Sequence, residues 1–186
     1  VASEVVRASC DTPDGTYQFE EVVLPARGPQ YWDGRATHNP QITKIDGKYV
    51  LYYTGMTHPF NEPELPLNSL DPRVLISRSN KRTGIAVSDS VFGPWKRFDK
   101  PAIDVSPSGH DSLVCSNPSV TQGPDGRFYM IYKAVENNGK LPKGGAVVCG
   151  IAVADSPLGP FERIGPFLTE LEDPLTACDP MLFSDD

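Results

Sequence analysis

The chain has 186 residues, 39% of them hydrophobic and 22% charged, which are ordinary proportions for a globular protein of one domain. A formal net charge of −7 and the lack of any Lys/Arg cluster argue against a nucleic-acid partner. No apolar run in the sequence approaches membrane-spanning length, so no membrane partner is expected.

Two short motifs alternate along the chain. The first contains an Asp, a Gly four residues later and an aromatic residue two residues after the Gly, and it occupies residues 6–17, 84–95 and 150–161. The second is an Asn-Pro or Asp-Pro dipeptide at residues 39–40, 117–118 and 179–180. The steps from the Gly of the first motif to the next Asn or Asp are 24, 24 and 20 residues. Motifs that return every 60 to 80 residues indicate one supersecondary unit that is repeated.

Each complete repeat is predicted to hold four strands. An Asp-Gly turn between two β-rich runs predicts a hairpin, at Asp46-Gly47 and again at Asp125-Gly126. A third strand follows, and a Gly-Pro turn leads into a fourth. The predicted strands are 40–45, 48–53, 83–88 and 95–98 in one repeat and 120–122, 127–132, 148–153 and 161–164 in the next. Four antiparallel strands joined by turns form a β-propeller blade, so the predicted fold class is all-β.

The predicted organisation is a single partial β-propeller domain over residues 1–186. Residues 1–30 are the end of one blade, 31–110 and 111–170 are complete blades, and 171–186 start the next. A propeller closes only with four or more blades, and an open one exposes strand edges. We therefore expect the chain to be a fragment with two full and two partial blades, whose partner is the rest of the propeller chain.

A long insertion, residues 56–81, separates the second and third strands of the first complete repeat. Two prolines and the lack of helical periodicity in residues 62–70 predict a loop. Such an insertion either shapes a binding site or decorates the surface, and both alternatives stay open.

The four cysteines are Cys10, Cys115, Cys149 and Cys178. They lack CxxC or Cys/His spacing, which argues against a zinc site. Free thiols on or beside buried strands are the favoured interpretation, with two disulfides as the alternative.

Some residues recur in every copy of the first motif. All blades share only the axis, so residues that recur in every blade beside the outer turn are expected to be structural. The acids are predicted to stabilise turns, and the aromatic residues are predicted to pack in the core between blades. These residues are Asp11, Asp89 and Asp155, and Tyr17, Trp95 and Phe161.

The sequence resembles the five-bladed β-propeller glycoside hydrolases, the clan of families 43, 32 and 117, and most closely the family 43-like bacterial proteins of polysaccharide-utilisation clusters. The passages that carry the resemblance are residues 31–40, 82–95 and 116–134. It covers essentially the whole chain and implies a propeller that is five-bladed when complete. It also implies a secreted or periplasmic enzyme that cleaves plant- or algal-type oligosaccharides. No cofactor or catalytic metal is expected, although the fold leaves room for a structural calcium ion at the axis.

In such propellers the first strand of each blade lines the central axis, and its starting end points into the active-site funnel. The resemblance implies a carboxylate general base, a carboxylic general acid and a third Asp that orients the sugar. One group protonates the leaving oxygen while another activates water on the opposite face of the sugar. Inverting enzymes hold the two carboxyl groups about 6.5 to 9.5 Å apart.

Carried onto this sequence, the resemblance yields a partial site. Asp179 matches the inner-strand Asp-Pro position and is the first catalytic candidate. Asn39 and Asn117 occupy the equivalent positions, where an amide cannot exchange protons but binds sugar hydroxyls. Cys178 replaces the acid that often precedes the Asp-Pro, and the family's base usually comes from the first blade. These residues therefore do not supply the full catalytic set.

Three further catalytic candidates have structural alternatives. Asp33 and Asp111 each precede an axial Asn by six residues, where a carboxylate either faces the funnel or caps a turn. His38 adjoins Asn39 and is either a proton donor or a structural hydrogen-bond partner. His58, in the insertion, is supported only by its loop context.

Three further residues are predicted to bind substrate. Trp32 either stacks on a sugar or packs between blades, with packing favoured. Arg35 and Lys133 are candidate ligands for a phosphate or an acidic sugar. Two other functions remain open: a non-catalytic carbohydrate-binding propeller, and a sugar phosphorylase on the same fold.

Overall fold

The computed structural model describes residues 3–60 and 71–167 of the chain. Asp179, Cys178 and the predicted start of the next blade lie outside these ranges. The described strands, in chain order, are β1 Val5–Ser9, β2 Gln18–Leu24, β3 Ala36–Ile45, β4 Lys48–Met56, β5 Arg82–Ser88, β6 Lys96–Arg97, β7 Val114–Gln122, β8 Phe128–Val135, β9 Val147–Ala154 and β10 Glu162–Phe167.

The strands form three sheets in which every pairing is antiparallel. One is the two-stranded sheet β1-β2, and the others are the four-stranded sheets β3-β4-β5-β6 and β7-β8-β9-β10. The all-β prediction and its four-stranded units are therefore confirmed. Both predicted hairpins are present, because Ile45 pairs with Lys48 and Gln122 with Phe128.

Each inner strand carries a bulge at its Asn-Pro dipeptide. The register shifts between His38 and Gln41 in β3, and between Ser116 and Ser119 in β7. Asn39 and Asn117 both have positive φ angles, 48° and 51°. Asn tolerates this left-handed conformation better than most residues, so the Asn-Pro dipeptide marks a bend in the strand.

The alternation of side chains along the middle strands builds the core. Val50 and Tyr52 of β4 face the β7–β10 sheet, where they pack in one cluster with Met130 and Tyr132. Leu51 faces the other way and packs with residues of β1 and β2. Because successive residues of a strand point to opposite faces, one strand contributes to both inter-blade cores.

Two of the three recurring aromatic residues are confirmed as inter-blade packing. Phe161 is buried and meets Tyr52 of the neighbouring sheet edge-to-face, with ring centroids 6.4 Å apart. Trp95 is partly buried against the cluster shared with β1 and β2. The prediction is wrong for Tyr17, which is 56% exposed. Tyr17 is not among the residues that form the described cluster at β1 and β2, and its hydroxyl donates to the Pro13 carbonyl oxygen of its own turn at 3.2 Å.

The insertion contains a helix that the sequence analysis missed, α1 Pro72–Ser79. Asp71 caps its start by accepting a hydrogen bond of 2.9 Å from the backbone N–H of Arg73, and Pro72 occupies the first turn. An Asp cap and a first-turn Pro are recognised signals of a helix start. The helix was not predicted because the segment has only weak apolar periodicity. Across residues 3–60 and 71–167, no helix is long and apolar enough to cross a membrane.

Cys10 and Cys115 are free thiols, as the favoured interpretation predicted. Cys115 on β7 and Cys149 on β9 are buried.

Candidate functional site

The inner strands of the two complete sheets lie against each other. The Gln41 amide nitrogen donates to the Val120 carbonyl oxygen at 3.0 Å, and the Val120 N–H donates to the Gln41 side-chain oxygen at 2.5 Å. This pair of hydrogen bonds fixes β3 beside β7, so the starting ends of both strands belong to one end of the molecule.

His38 and Asn39 occupy the starting end of β3. Asn39 is exposed, and His38 is partly exposed. The Nδ1 atom of His38 is hydrogen-bonded to the side-chain oxygen of Asn39, which orients the imidazole ring. These two residues therefore remain accessible to a ligand.

Asn117, the equivalent of Asn39 on β7, is only 8% exposed. Its backbone N–H donates to Thr54 Oγ1 at 2.7 Å, and the same hydroxyl donates to its side-chain oxygen at 3.3 Å. Asn117 thus links β7 to β4 of the neighbouring sheet, a structural use of the side chain that was predicted to bind sugar.

Asp33 is completely buried among donors. Arg27 Nε and Tyr53 Oη each donate to its carboxylate at 2.7 Å, and Arg97 Nη1 lies 3.3 Å away. Burial raises the pKa of Tyr53 well above its ordinary value, and the charge of Asp33 adds to this. The phenol therefore keeps its proton and acts only as a donor.

Asp111 has the same surroundings in the next sheet and is 1% exposed. Tyr132 Oη donates to its carboxylate at 2.8 Å and Arg163 Nε at 2.5 Å, and the Ser106 hydroxyl also donates. Burial alone would raise the pKa of Asp111, but the hydrogen bonds from Ser106, Arg163 and Tyr132 outweigh it and hold the pKa below its ordinary value.

The two clusters have the same composition. In each, a buried Asp accepts hydrogen bonds from a Tyr of the second strand and an Arg of the fourth strand of its sheet. A general acid must hold a proton near neutral pH, whereas Asp111 is stabilised as the anion. Asp33 and Asp111 also engage separate clusters, one in each four-stranded sheet. Their contacts argue for a structural role in each sheet, against the catalytic role predicted for them.

Trp32 packs against the cluster that the sheet β3-β4-β5-β6 shares with β1 and β2, in line with the favoured alternative of packing between blades. Its ring stacks on Tyr53 with centroids 5.8 Å apart. A Cβ atom placed on Gly55 or Gly84 would lie 2.4 Å from the Trp32 ring, so the indole occupies the space that these glycines leave. The sugar-platform prediction is not supported.

Arg35 and Lys133 are partly exposed. The Arg35 backbone N–H donates to the Met56 carbonyl oxygen at 3.0 Å, and Lys133 lies on β8 in register with Ser116 and Cys149. His58 is buried, with its ring stacked 5.9 Å from that of Phe60. Arg35 directly precedes β3, and its partner Met56 is in register with Ala36 at the starting end of that strand.

A pocket of about 280 Å³ opens between α1 and the starting end of β3. We call it the α1 pocket. It is lined by Ser3, His38, Met56, Val74, Ser77, Arg78 and Lys81. Of these, the sequence analysis named only His38 as a site residue, because Arg78 and Lys81 lie in an insertion that follows no repeat.

Within the part of the chain that the structure describes, no three His, Cys, Asp or Glu side chains converge to hold a metal ion. The calcium ion at the axis stays a prediction.

Solved structures of glycoside hydrolases share this fold. Zg3597, a family 117 glycoside hydrolase of the marine bacterium Zobellia galactanivorans, matches with a TM-score of 0.63 and 29% identity, over 86% of this chain and 40% of that one. CoXyl43, a family 43 β-xylosidase/α-arabinofuranosidase from a compost microbial metagenome, matches with a TM-score of 0.52 and 19% identity, over 86% of this chain and 38% of that one. A glycosyl hydrolase from Bacteroides ovatus has a TM-score of 0.52 and 17% identity, over 77% and 36% of the two chains. No family model and no curated protein matches the sequence.

The chain therefore has the fold of the β-propeller glycoside hydrolases, as the resemblance implied. It spans about 40% of the length of the family 117 enzyme.

Proposed function

We propose that this chain is part of a glycoside hydrolase that cleaves plant- or algal-type oligosaccharides by acid/base hydrolysis. The observation that carries the proposal is the likeness to the family 117 glycoside hydrolase, at 29% identity over 86% of the chain. The exposure of His38 and Asn39 at the starting end of β3 also supports the proposal, because these two side chains are accessible to a ligand. A secreted or periplasmic location is part of the same proposal.

The chemistry is assigned to Asp179 and His38. With Asp33 and Asp111 held in structural ion pairs, Asp179 is the remaining carboxylate candidate of this chain. We assign to it the activation of water, in place of the first-blade base that the resemblance implies. His38 would protonate the leaving oxygen, since imidazole exchanges protons near neutral pH. Asn39 would orient the His38 ring and hydrogen-bond a sugar hydroxyl.

The test is hydrolysis of plant and algal oligosaccharides by the full-length protein and by Asp179→Asn and His38→Gln variants. Removal of a general acid or base should lower kcat by roughly 10² to 10⁴-fold. Asp155→Asn is the matched control, because Asp155 is an exposed turn residue paired with Arg127. If the two site variants retain the kcat of the control, the assignment of these residues is wrong.

A non-catalytic carbohydrate-binding propeller is the second candidate. It is favoured by the engagement of Asp33 and Asp111 in buried ion pairs, which leaves few carboxylates for chemistry. This alternative predicts that oligosaccharides bind and that no reducing ends are released after prolonged incubation. Release of reducing ends that depends on Asp179 would eliminate it.

A further inference from the structure

The α1 pocket concentrates positive charge in an acidic protein. Arg78 and Lys81 are cationic side chains, and His38 adds an imidazole ring. Among the described residues, no Asp or Glu lines this pocket, although the chain has a formal net charge of −7. A cleft lined by charges of one sign attracts ligands of the opposite sign. The pocket is therefore suited to an anion.

The remaining walls suit a sugar ring better than a bare anion. Val74 supplies apolar surface beside the buried Met56, and the exposed residue Ser3 supplies a hydroxyl group. The hydroxyl of Ser77 is buried and donates to the Arg73 carbonyl oxygen at 2.8 Å. A sugar ring presents C–H groups and hydroxyls together, so it matches both kinds of wall. The volume of about 280 Å³ is near the lower limit of roughly 300 Å³ for small-molecule pockets. This leaves room for one ring-sized ligand.

The pocket is fixed in position relative to both complete sheets. Arg78 Nη1 donates to the Lys143 carbonyl oxygen at 3.3 Å, which ties α1 to the loop after β8. On the other side, His38 directly precedes Asn39 at the starting end of β3. A ligand in the pocket would therefore lie beside His38, to which we assign protonation of the leaving oxygen.

We propose that the α1 pocket binds an acidic sugar unit of the substrate, one that carries a carboxylate or a sulfate ester. The proposal rests on the proposed function, since it names the substrate class of the same site. The planar guanidinium of Arg78 matches the paired oxygens of either group, and Lys81 adds a point charge.

The test is an NMR titration of the full-length protein with four ligands at low ionic strength. These are galacturonate, galactose 6-sulfate, galactose and inorganic sulfate. The same titrations are made with Arg78→Gln and Lys81→Gln. Lys96→Gln is the matched control, because Lys96 is exposed on the outer strand β6 and lines no part of the pocket.

At least one of the two acidic sugars should bind more tightly than galactose, and the one that binds identifies the anionic group. Each site variant should weaken this binding about tenfold, as expected for loss of one hydrogen bond to a charged group. The control variant should bind like the wild type. Added salt should weaken the binding, because the charges are only partly buried.

Three results would overturn the inference. The first is equal affinity for galactose and both acidic sugars, and the second is no effect of the site variants on binding. The third is equal affinity for inorganic sulfate and galactose 6-sulfate, because the pocket would then hold a free anion, as a sugar phosphorylase requires.

Hydrolysis of neutral oligosaccharides, measured in parallel, separates this inference from the proposed function. Hydrolysis without pocket-dependent binding of acidic sugars overturns the inference alone. Pocket-dependent binding without hydrolysis of either neutral or acidic oligosaccharides overturns the proposed function alone.

Discussion

The buried carboxylate of Asp111 allows a sharp test of what holds the blade together. Tyr132→Phe removes one hydroxyl group and preserves the ring, which packs against Gly150 in the next strand. The lost hydroxyl donates to Asp111 at 2.8 Å, and both residues are buried. The variant therefore removes one of the donors that stabilise a buried negative charge, with little change in packing.

The expected cost follows from the charge on the acceptor. A hydrogen bond to a charged group contributes about 1.5 to 3 kcal/mol, against about 0.5 to 1.5 kcal/mol for a neutral pair. Urea unfolding of the full-length protein, followed by far-UV circular dichroism, measures this cost. With a slope of about 2 kcal/mol per molar urea, the midpoint should fall by about 1 M at unchanged slope.

The matched control is Tyr129→Phe. Tyr129 Oη donates to Asp125 at the same distance of 2.8 Å, but this pair is exposed to solvent. Water replaces the lost partner there, so the midpoint should not change measurably. In an Asp111→Asn background, the cost of Tyr132→Phe should fall to that of a neutral pair. Equal effects of the two tyrosine variants would refute the argument that burial of the carboxylate gives the bond its strength.

Three further predictions concern the same sheet. Because the pKa of Asp111 is lower in the folded state than the unfolded value of about 3.9, its stabilisation is complete above pH 4 and is lost as the pH falls through the folded value. The free energy of unfolding should therefore fall more steeply below about pH 4 in the wild type than in Asp111→Asn, and parallel curves would contradict this. Gly150→Ala places a Cβ atom 2.3 Å from the neighbouring tyrosine ring and should cost about 1 to 3 kcal/mol in urea unfolding, whereas Gly145→Ala, with its nearest atom at 3.4 Å, should be tolerated. Burial raises the pKa of Cys115 to about 12. A disulfide reagent at pH 8 should therefore label the partly exposed Cys10 first, and Cys115 only on unfolding. Rapid labelling of Cys115 in the native protein would count against its burial.

The strands were predictable from the sequence because their signals are local. Asp46 and Gly47 have φ angles of 49° and 79°, the conformation of a two-residue hairpin turn that Asp-Gly adopts readily. The structure extends β3 back to Ala36, beyond the predicted start at residue 40. The Asn-Pro dipeptide marks a bulge inside the strand, and proline is tolerated at such a bulge.

The roles of the acids were not predictable in the same way, because they depend on contacts between distant residues. Asp33 meets Tyr53 and Arg97, which are 20 and 64 residues away in the sequence. A signal was nevertheless present, since an Arg follows the recurring aromatic residue by two positions at Arg97 and Arg163. Two acids at equivalent positions, each with its own Arg, indicate a structural ion pair in each complete repeat.

The α1 pocket, unlike the Asp–Tyr–Arg clusters, is not part of the repeated scaffold. A feature that both complete sheets contain, such as the Asp–Tyr–Arg cluster, serves a need that all blades share. The helix α1 belongs to one sheet only, and the loop after β8, at the equivalent place in the next, contains no helix over its described residues 136–146. The cations Arg78 and Lys81 therefore answer no requirement of the repeated fold. Their position beside His38, where an inner strand begins, makes them the first residues to vary in a search for the substrate.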